Sequence, residues 1–234
     1  MGKKGMNNKL HPKVKVLKVG TIRLEASEMA STLTLQIKNE LGIGGGSSVT
    51  LIEGEKNILV DTGFDYEWLD TAENKKQNAR NLMRCLHDNG LKPDDIDIVF
   101  MTHWHLDHYG NSGIFTKATF LVSKPLAEQH KQPNLIGIAD GEEIADGVRT
   151  LYSPGHTADH ASFIVDTLYQ DMKVRIAVAG DAVISCSYFL AGRIWKYNAD
   201  FYDEEVGRKS MSMLSNVADI IIPGHGVPFM SFHI

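Results

Sequence analysis

Residues 101–110 read MTHWHLDHYG and place three histidines and an aspartate within six positions. Imidazole nitrogens and carboxylate oxygens suit Zn2+, Fe2+ or Mn2+, and the absence of thiolates argues against a closed structural cysteine site. Three other apolar runs end on the same residue types: RTLYSPGH at His156, RIAVAGD at Asp181 and DIIIPGH at His225. A glycine stands before each of these, which lets the backbone turn sharply into a shared cleft. An earlier run, NILVDTG, brings Asp61 to a similar place. His103 and His105 are two apart and share one side of an extended segment. Asp107 and His108 follow where a turn can aim them at a neighbouring position. The candidate ligands His103, His105, Asp107, His108, His156, Asp181 and His225 outnumber the four of one tetrahedral ion. They fit two ions about 3.5–4 Å apart with a shared carboxylate and a bridging water, the arrangement used for hydrolysis.

Strands must carry these groups. VKVLKVGTIRL, TLTLQIKN and SSVTLIEGEKNILVDTG are rich in Val, Ile, Leu and Thr with partial alternation, EGEK reads as a hairpin turn, and GIGGG (42–46) as a flexible loop. A helix fits 66–88, with Leu69, Ala72, Ala79, Leu82, Met83 and Leu86 on one face and Gly90 as its C-cap. Lys75, Lys76, Arg80 and Arg84 read as its solvated side. IDIVFMT, KATFLVS, GVRTLYS, ASFIVDT, KVRIAVAG and ADIIIPG are further strands, and DEEVGRKSMSMLSNV has helical spacing at Val206, Met211, Leu214 and Val217. The economical architecture is α/β, a four-layer αββα sandwich. Residues 1–12 are expected to be a flexible amino-terminal segment, the first five in part a cloning remnant, and 13–234 a single domain.

The composition is that of an ordinary globular chain: 234 residues, 43% hydrophobic, 23% charged. A net charge of −5 argues against a broad electrostatic grip on nucleic acid. Lys3, Lys4, Lys9, Lys13, Lys15 and Lys18 form a modest basic patch that reads first as solvated surface. Cys85 and Cys186 make no disulfide framework, which favours a reducing compartment. The polar amino terminus shows no secretory signal, and no apolar run nears the ~18–20 residues that span a bilayer. A cytoplasmic or nuclear protein without membrane attachment is expected.

The same residues give the chain a resemblance to the metallo-β-lactamase superfamily, covering about Val14 to Phe229. The family's H-x-H-x-D-H motif stands as His103, His105, Asp107 and His108, its PGHT histidine as His156, its GDA aspartate as Asp181 and its PGHG histidine as His225. The resemblance implies one metal on His103, His105 and His156, another on Asp107, His108 and His225, and Asp181 bridging. Two zinc ions are expected, with iron or manganese as alternatives. Asp181 would fix the metal spacing and Asp107 orient the water, so these two are the candidate catalytic residues. Asp61 would lie near the metals without ligating them. His160, in GHTADHAS where relatives often carry GHTPGH, would lie there too. Tyr188 is a candidate substrate contact, Cys186 a small buried hydrophobe, and Trp104, Tyr109 and Trp195 core or rim aromatics. His11, His87, His130 and His233 have no partner in the pattern.

No extra carboxy-terminal helical domain of the glyoxalase II kind, β-CASP insertion or long basic arm is seen, and His105 is intact where the flavodiiron branch carries a carboxylate. NILVDTG, THWHLDHYGN, FLVS and RKSMSMLSNVADIIIPGHGVPF resemble a compact animal branch of the family. That likeness implies an endoribonuclease, a phosphodiesterase cleaving histone pre-messenger RNA near its 3′ end. Similarity to acyl-homoserine lactonases in THWHLDH and PGHTADH implies instead a small-molecule ester, thioester or lactone hydrolase. A mononuclear iron persulfide dioxygenase is the third reading. The expected partners are single-stranded RNA or a small-molecule substrate, with a second copy of the chain as a further candidate.

Overall fold

A computed structural model describes residues 11–21, 46–65 and 72–231. The predicted strand TLTLQIKN, most of the GIGGG loop, the start of the helix at 66 and His233 lie outside these residues.

The first six strands are β1 (Lys13–Lys18), β2 (Val49–Glu53), β3 (Asn57–Val60), β4 (Ile98–Phe100), β5 (Thr119–Ser123) and β6 (Leu135–Ile138), adjacent in that order in one sheet. The first three run antiparallel, while β3 through β6 run parallel. The second sheet holds β7 (Glu143–Ala145), β8 (Val148–Tyr152), β9 (Ala161–Tyr169), β10 (Met172–Gly180), β11 (Ile220–Pro223) and β12 (Phe229–Met230), also in chain order. Its β10–β11 pair is parallel and the others antiparallel.

Period-two alternation explains the stacking. Ile58 and Val60, Ile98 and Phe100 from the first sheet meet Phe163, Val165, Val178 and Ile222 from the second in the central core. Phe100 and Phe163 stack across the layers, ring centroids 3.9 Å apart at 14°. Losing a buried ring of that size costs about 3–5 kcal/mol. The intervening Leu59 and Val99 face outward and pack under Leu82 and Leu86 of helix α1 (Ala72–Asp88). Ile164, Ala177 and Ile221 do the same beneath α5 (Glu204–Val217), which follows the short helices α2 (Leu106–Tyr109), α3 (Lys124–His130) and α4 (Cys186–Leu190). The result is the expected αββα order.

The face of α1 differs from the sequence reading at Ala72, which is exposed, and at Met83. Met83 is 39% exposed, and the buried stripe is Asn78, Leu82 and Leu86. Asn78 occupies the place of a hydrophobe because its amide accepts from the Asp65 N–H at 2.6 Å and donates to the Asp65 carbonyl at 3.2 Å. Gly90, at φ 76°, ends the helix as expected, with Leu91 N donating to Leu86 O at 3.0 Å. Among the described residues no helix is long and apolar enough to cross a membrane.

Candidate metal centre

The site forms where strands of both sheets end. His103 lies in the bend that follows β4, and His105 (φ −102°, ψ 145°, extended) is the N-cap of the single turn of α2 that carries Asp107 and His108. His156 follows β8, Asp181 follows β10 and His225 follows β11. Two glycines make the convergence sterically feasible. Gly180 sits at φ 51°, and a Cβ there would strike Thr102, 2.7 Å from its Oγ1. A Cβ on Gly224 would overlap the Asp181 carboxylate.

All seven predicted ligands come together, in two groups. In the first, His103 Nε2 lies 2.8 Å from His105 Nδ1, which lies 3.0 Å from His156 Nε2. Asp181 Oδ2 completes it at 3.3 Å from His156 Nε2 and 3.9 Å from His103 Nε2. In the second, Asp107 Oδ2 is 3.2 Å from His225 Nε2 and 3.6 Å from His108 Nε2. Asp181 Oδ1 stands 3.3 Å from each of those two nitrogens. Asp181 therefore gives one oxygen to each group. A tetrahedral ion with bonds of 2.0–2.2 Å has ligand–ligand edges of about 3.3–3.6 Å; the second group matches that scale, and the distances of the first, 2.8 to 3.9 Å, bracket it. His108 Nε2 and Asp181 Oδ1 are buried without a well-formed hydrogen bond, the condition of atoms that await a cation. The donor set thus fits two divalent ions.

Partners on the far side of the His103, His105, His108 and His225 rings set their tautomers, while His156 Nδ1 is buried without a well-formed hydrogen bond. The Thr102 hydroxyl donates to Asp61 at 3.0 Å, so at 3.0 Å it accepts from His103 Nδ1 and leaves Nε2 free. His108 Nδ1 donates to Asp61 Oδ2 at 2.7 Å, and His225 Nδ1 to the Thr21 carbonyl at 3.3 Å. His105 Nε2 donates to Asp200, 2.9 Å from Oδ1. Asp61, 3% exposed, also accepts from Thr102 N at 2.9 Å and holds a left-handed φ of 59°. An L-residue in that region is strained, and its three hydrogen bonds compensate. His160 touches no ligand nitrogen. Its Nε2 accepts from the Asp181 N–H at 3.1 Å, so Nδ1 donates to Ser153 Oγ at 2.9 Å, which donates to Ser162 Oγ at 2.7 Å, which donates to Ala179 O at 3.0 Å.

The electrostatics divide the same way. Burial, helped by neighbouring imidazoles, holds His103 well below the usual histidine range and lowers His156 to about 4. Burial and the nearby His156 push His160 well down too. In the second group burial is overcome by carboxylates. Asp61, Asp107 and Asp181 raise His108 well above its ordinary value, and Asp181 and Asp107 carry His225 up to about 10. Burial would raise Asp181 and Asp107, but the surrounding histidines hold both low.

Tyr188 is 5% exposed in α4, its ring 6.1 Å from that of Trp195. Cys186 is half-buried and lines a cavity of about 450 Å³ beside His225, with Val19, Thr21, Ser185, Ser187 and Val227. Trp104 stacks on Tyr109 at 4.4 Å and leans on His130 at 4.8 Å. Lys18 is not free surface: it reaches the Gly63 carbonyl and pairs with Asp65 at 2.6 Å. Sequence reasoning missed Thr102, Asn198 and Asp200. Only Thr102, directly before the histidine motif, carried a signal.

Comparison with known proteins follows this geometry. Residues 42–225 match the family described as the metallo-beta-lactamase superfamily. Metallo-beta-lactamase domain-containing protein 1 of Xenopus laevis is 31% identical over 189 residues, 78% of this chain and 71% of that protein. An N-acyl homoserine lactonase of Bacillus cereus is 29% identical, over 63% of this chain and 68% of its own. A crystal structure of a putative metallo-beta-lactamase from Thermotoga maritima superposes with a TM-score of 0.64 at 21% identity, covering 94% of this chain and 99% of the other.

Proposed function

The chain belongs to the metallo-β-lactamase superfamily of hydrolases, and from that premise we propose that it is a two-metal enzyme acting on a small activated acyl compound: an ester, thioester or lactone. One observation carries the two-metal reading: Asp181 presents Oδ2 to one group of histidines and Oδ1 to the other. The second group also favours two ions, zinc being the first choice for this nitrogen and oxygen set, over the single iron of a dioxygenase. Divalent ions held there would supply Lewis acidity and a water acidified toward neutral pH.

The chain's own residues do the rest. His103, His105 and His156 present ring nitrogens from a rigid strand-end frame. Asp181, 5% exposed at its side chain, fixes the spacing of the two groups. Asp107 is more open, at 16%, so its carboxylate is the one placed to orient the attacking water and take its proton.

The acyl reading draws support from the charge of the surroundings. Among the described residues, those lining the cavity beside His225 are uncharged apart from that histidine, and its volume of about 450 Å³ suits a small ligand. Lys18, at the Gly63–Asp65 turn, is already paired with Asp65. The second reading is cleavage of single-stranded RNA, such as histone pre-messenger RNA near its 3′ end. Its support is the likeness to the animal proteins over most of the chain.

The test is metal content per chain on protein purified without added metal, with hydrolysis of a thioester, a lactone and a labelled single-stranded RNA. About two ions with chelator-sensitive acyl hydrolysis support the proposal. RNA cleavage without acyl turnover moves the assignment to the second reading, and a single iron with oxygen uptake overturns both. Asp107→Ala should abolish turnover with the fold retained; full activity in that folded variant would sink the assigned role.

A further inference from the structure

Each metal group contains one histidine whose outer nitrogen faces a carboxylate. In the second group it is His108, held by Asp61. In the first it is His105, whose Nε2 lies 2.9 and 3.1 Å from the two oxygens of Asp200. Asp61 is buried and sits next to the motif in space. Asp200 is 95 residues from His105 in sequence, its side chain 59% exposed, on the segment joining α4 to α5. Exposure alone would make such a contact weak.

The segment, however, is tied down. Asn198 Nδ2 donates to Asp200 Oδ1 at 2.8 Å and to the His156 carbonyl at 3.0 Å. The N–H groups of Tyr202 and Asp203 both donate to the Gly155 carbonyl, at 3.3 and 3.2 Å. The strand-end turn that supplies His156 is therefore stapled to the stretch that holds His105. Only one tautomer of His105 lets Nδ1 face the ion, and that tautomer carries its proton on Nε2. A carboxylate acceptor at that proton fixes ring orientation and strengthens the ligand.

We infer that Asp200, held by Asn198, is a positioning residue for the first metal: it locks His105 with Nε2–H outward and Nδ1 toward the ion. This rests on the two-metal reading above. The test uses the full chain, wild type beside Asp200→Ala and Asp200→Asn. Stepwise zinc dissociation constants come from chelator competition, and melting temperatures from the metal-free proteins. Asp200→Ala should weaken one of the two ions about 10–100-fold and leave the other unchanged. Asp200→Asn keeps an acceptor oxygen for Nε2–H and should recover most of that loss. All three metal-free proteins should melt together.

Unchanged affinities in Asp200→Ala would overturn the inference. So would equal weakening of both ions accompanied by a lower metal-free melting temperature, which would mark Asp200 as merely structural. An Asn variant as weak as the Ala variant would assign the effect to charge and overturn the hydrogen-bond argument. A wild type that binds one ion, weakened by Asp200→Ala, would uphold this inference while removing the two-metal reading. A wild type that binds none would overturn both.

Discussion

The two ends of the second sheet handle buried and half-buried carboxylates in opposite ways. At the end where β8, β10 and β11 finish, Asp181 is almost fully enclosed, its contacts are histidines, and one of its oxygens lacks a well-formed hydrogen bond. Toward the other end, Asp166 on β9 accepts from Arg175 Nε at 2.6 Å and from Arg149 Nη1 at 2.8 Å, with its side chain 42% exposed. The second arrangement is complete with protein atoms alone. The first is not, since leaving a carboxylate oxygen and an imidazole nitrogen buried without partners costs about 1–3 kcal/mol per group. Structure that maximises its own stability resembles the Asp166 end. The Asp181 end sacrifices stability for the capacity to hold ions.

The sharpest way to break this contrast is Asp181→Ala. It removes the carboxylate that gives one oxygen to each group, so hydrolysis should fall about a thousand-fold or more, the scale on which one preorganised charge acts at a reacting centre. Metal content should drop below two per chain. Metal content held at two per chain would show that Asp181 is a structural ion-pair partner like Asp166.

Asp61→Asn is the next largest. Asp61 accepts from His108 Nδ1 and from Thr102, and the amide keeps the shape while losing the charge and one acceptor. A weakening of metal affinity of about 10–100-fold is expected, measurable by chelator competition. Retained affinity would mean that the Asp61–His108 contact serves only the backbone turn at φ 59°.

How much of this was readable in the sequence follows from the range over which each signal acts. The His and Asp cluster was legible because its members follow apolar runs, after glycine at His156, Asp181 and His225, and because His103, His105, Asp107 and His108 are crowded together. The αββα order was legible through the family resemblance more than through strand counting. Asp200 and Asn198 were invisible, since nothing local marks a residue whose partner is 95 positions away. Met83 was misplaced because periodicity counts apolar residues and cannot foresee that Asn78 satisfies both backbone groups of Asp65. The short strands β6 and β7 escaped notice; at four and three residues they carry too little alternation to register.

The smallest expected effect belongs to the fully paired end. Burial works to raise the Asp166 carboxyl, but the hydrogen bonds from Arg175 and Arg149 outweigh it and hold the group below its ordinary value of 3.8. A carboxyl lowered in the folded state contributes stability that is present above its unfolded value and is lost as pH falls through its folded one. The loss should therefore begin near pH 4 and continue downward. Because the pair is substantially exposed, its worth is set by solvent screening at roughly 0.2–1 kcal/mol. Asp166→Asn should thus lower the melting temperature by no more than about 2–4 °C at neutral pH. The difference from wild type should shrink as pH falls below 4, and raised salt should shrink it as well. Metal content and turnover should stay at wild-type values. If Asp166→Asn instead reduced bound metal, the two ends would be energetically coupled through β9 and β10, and the division between a self-sufficient end and an ion-dependent one would fail.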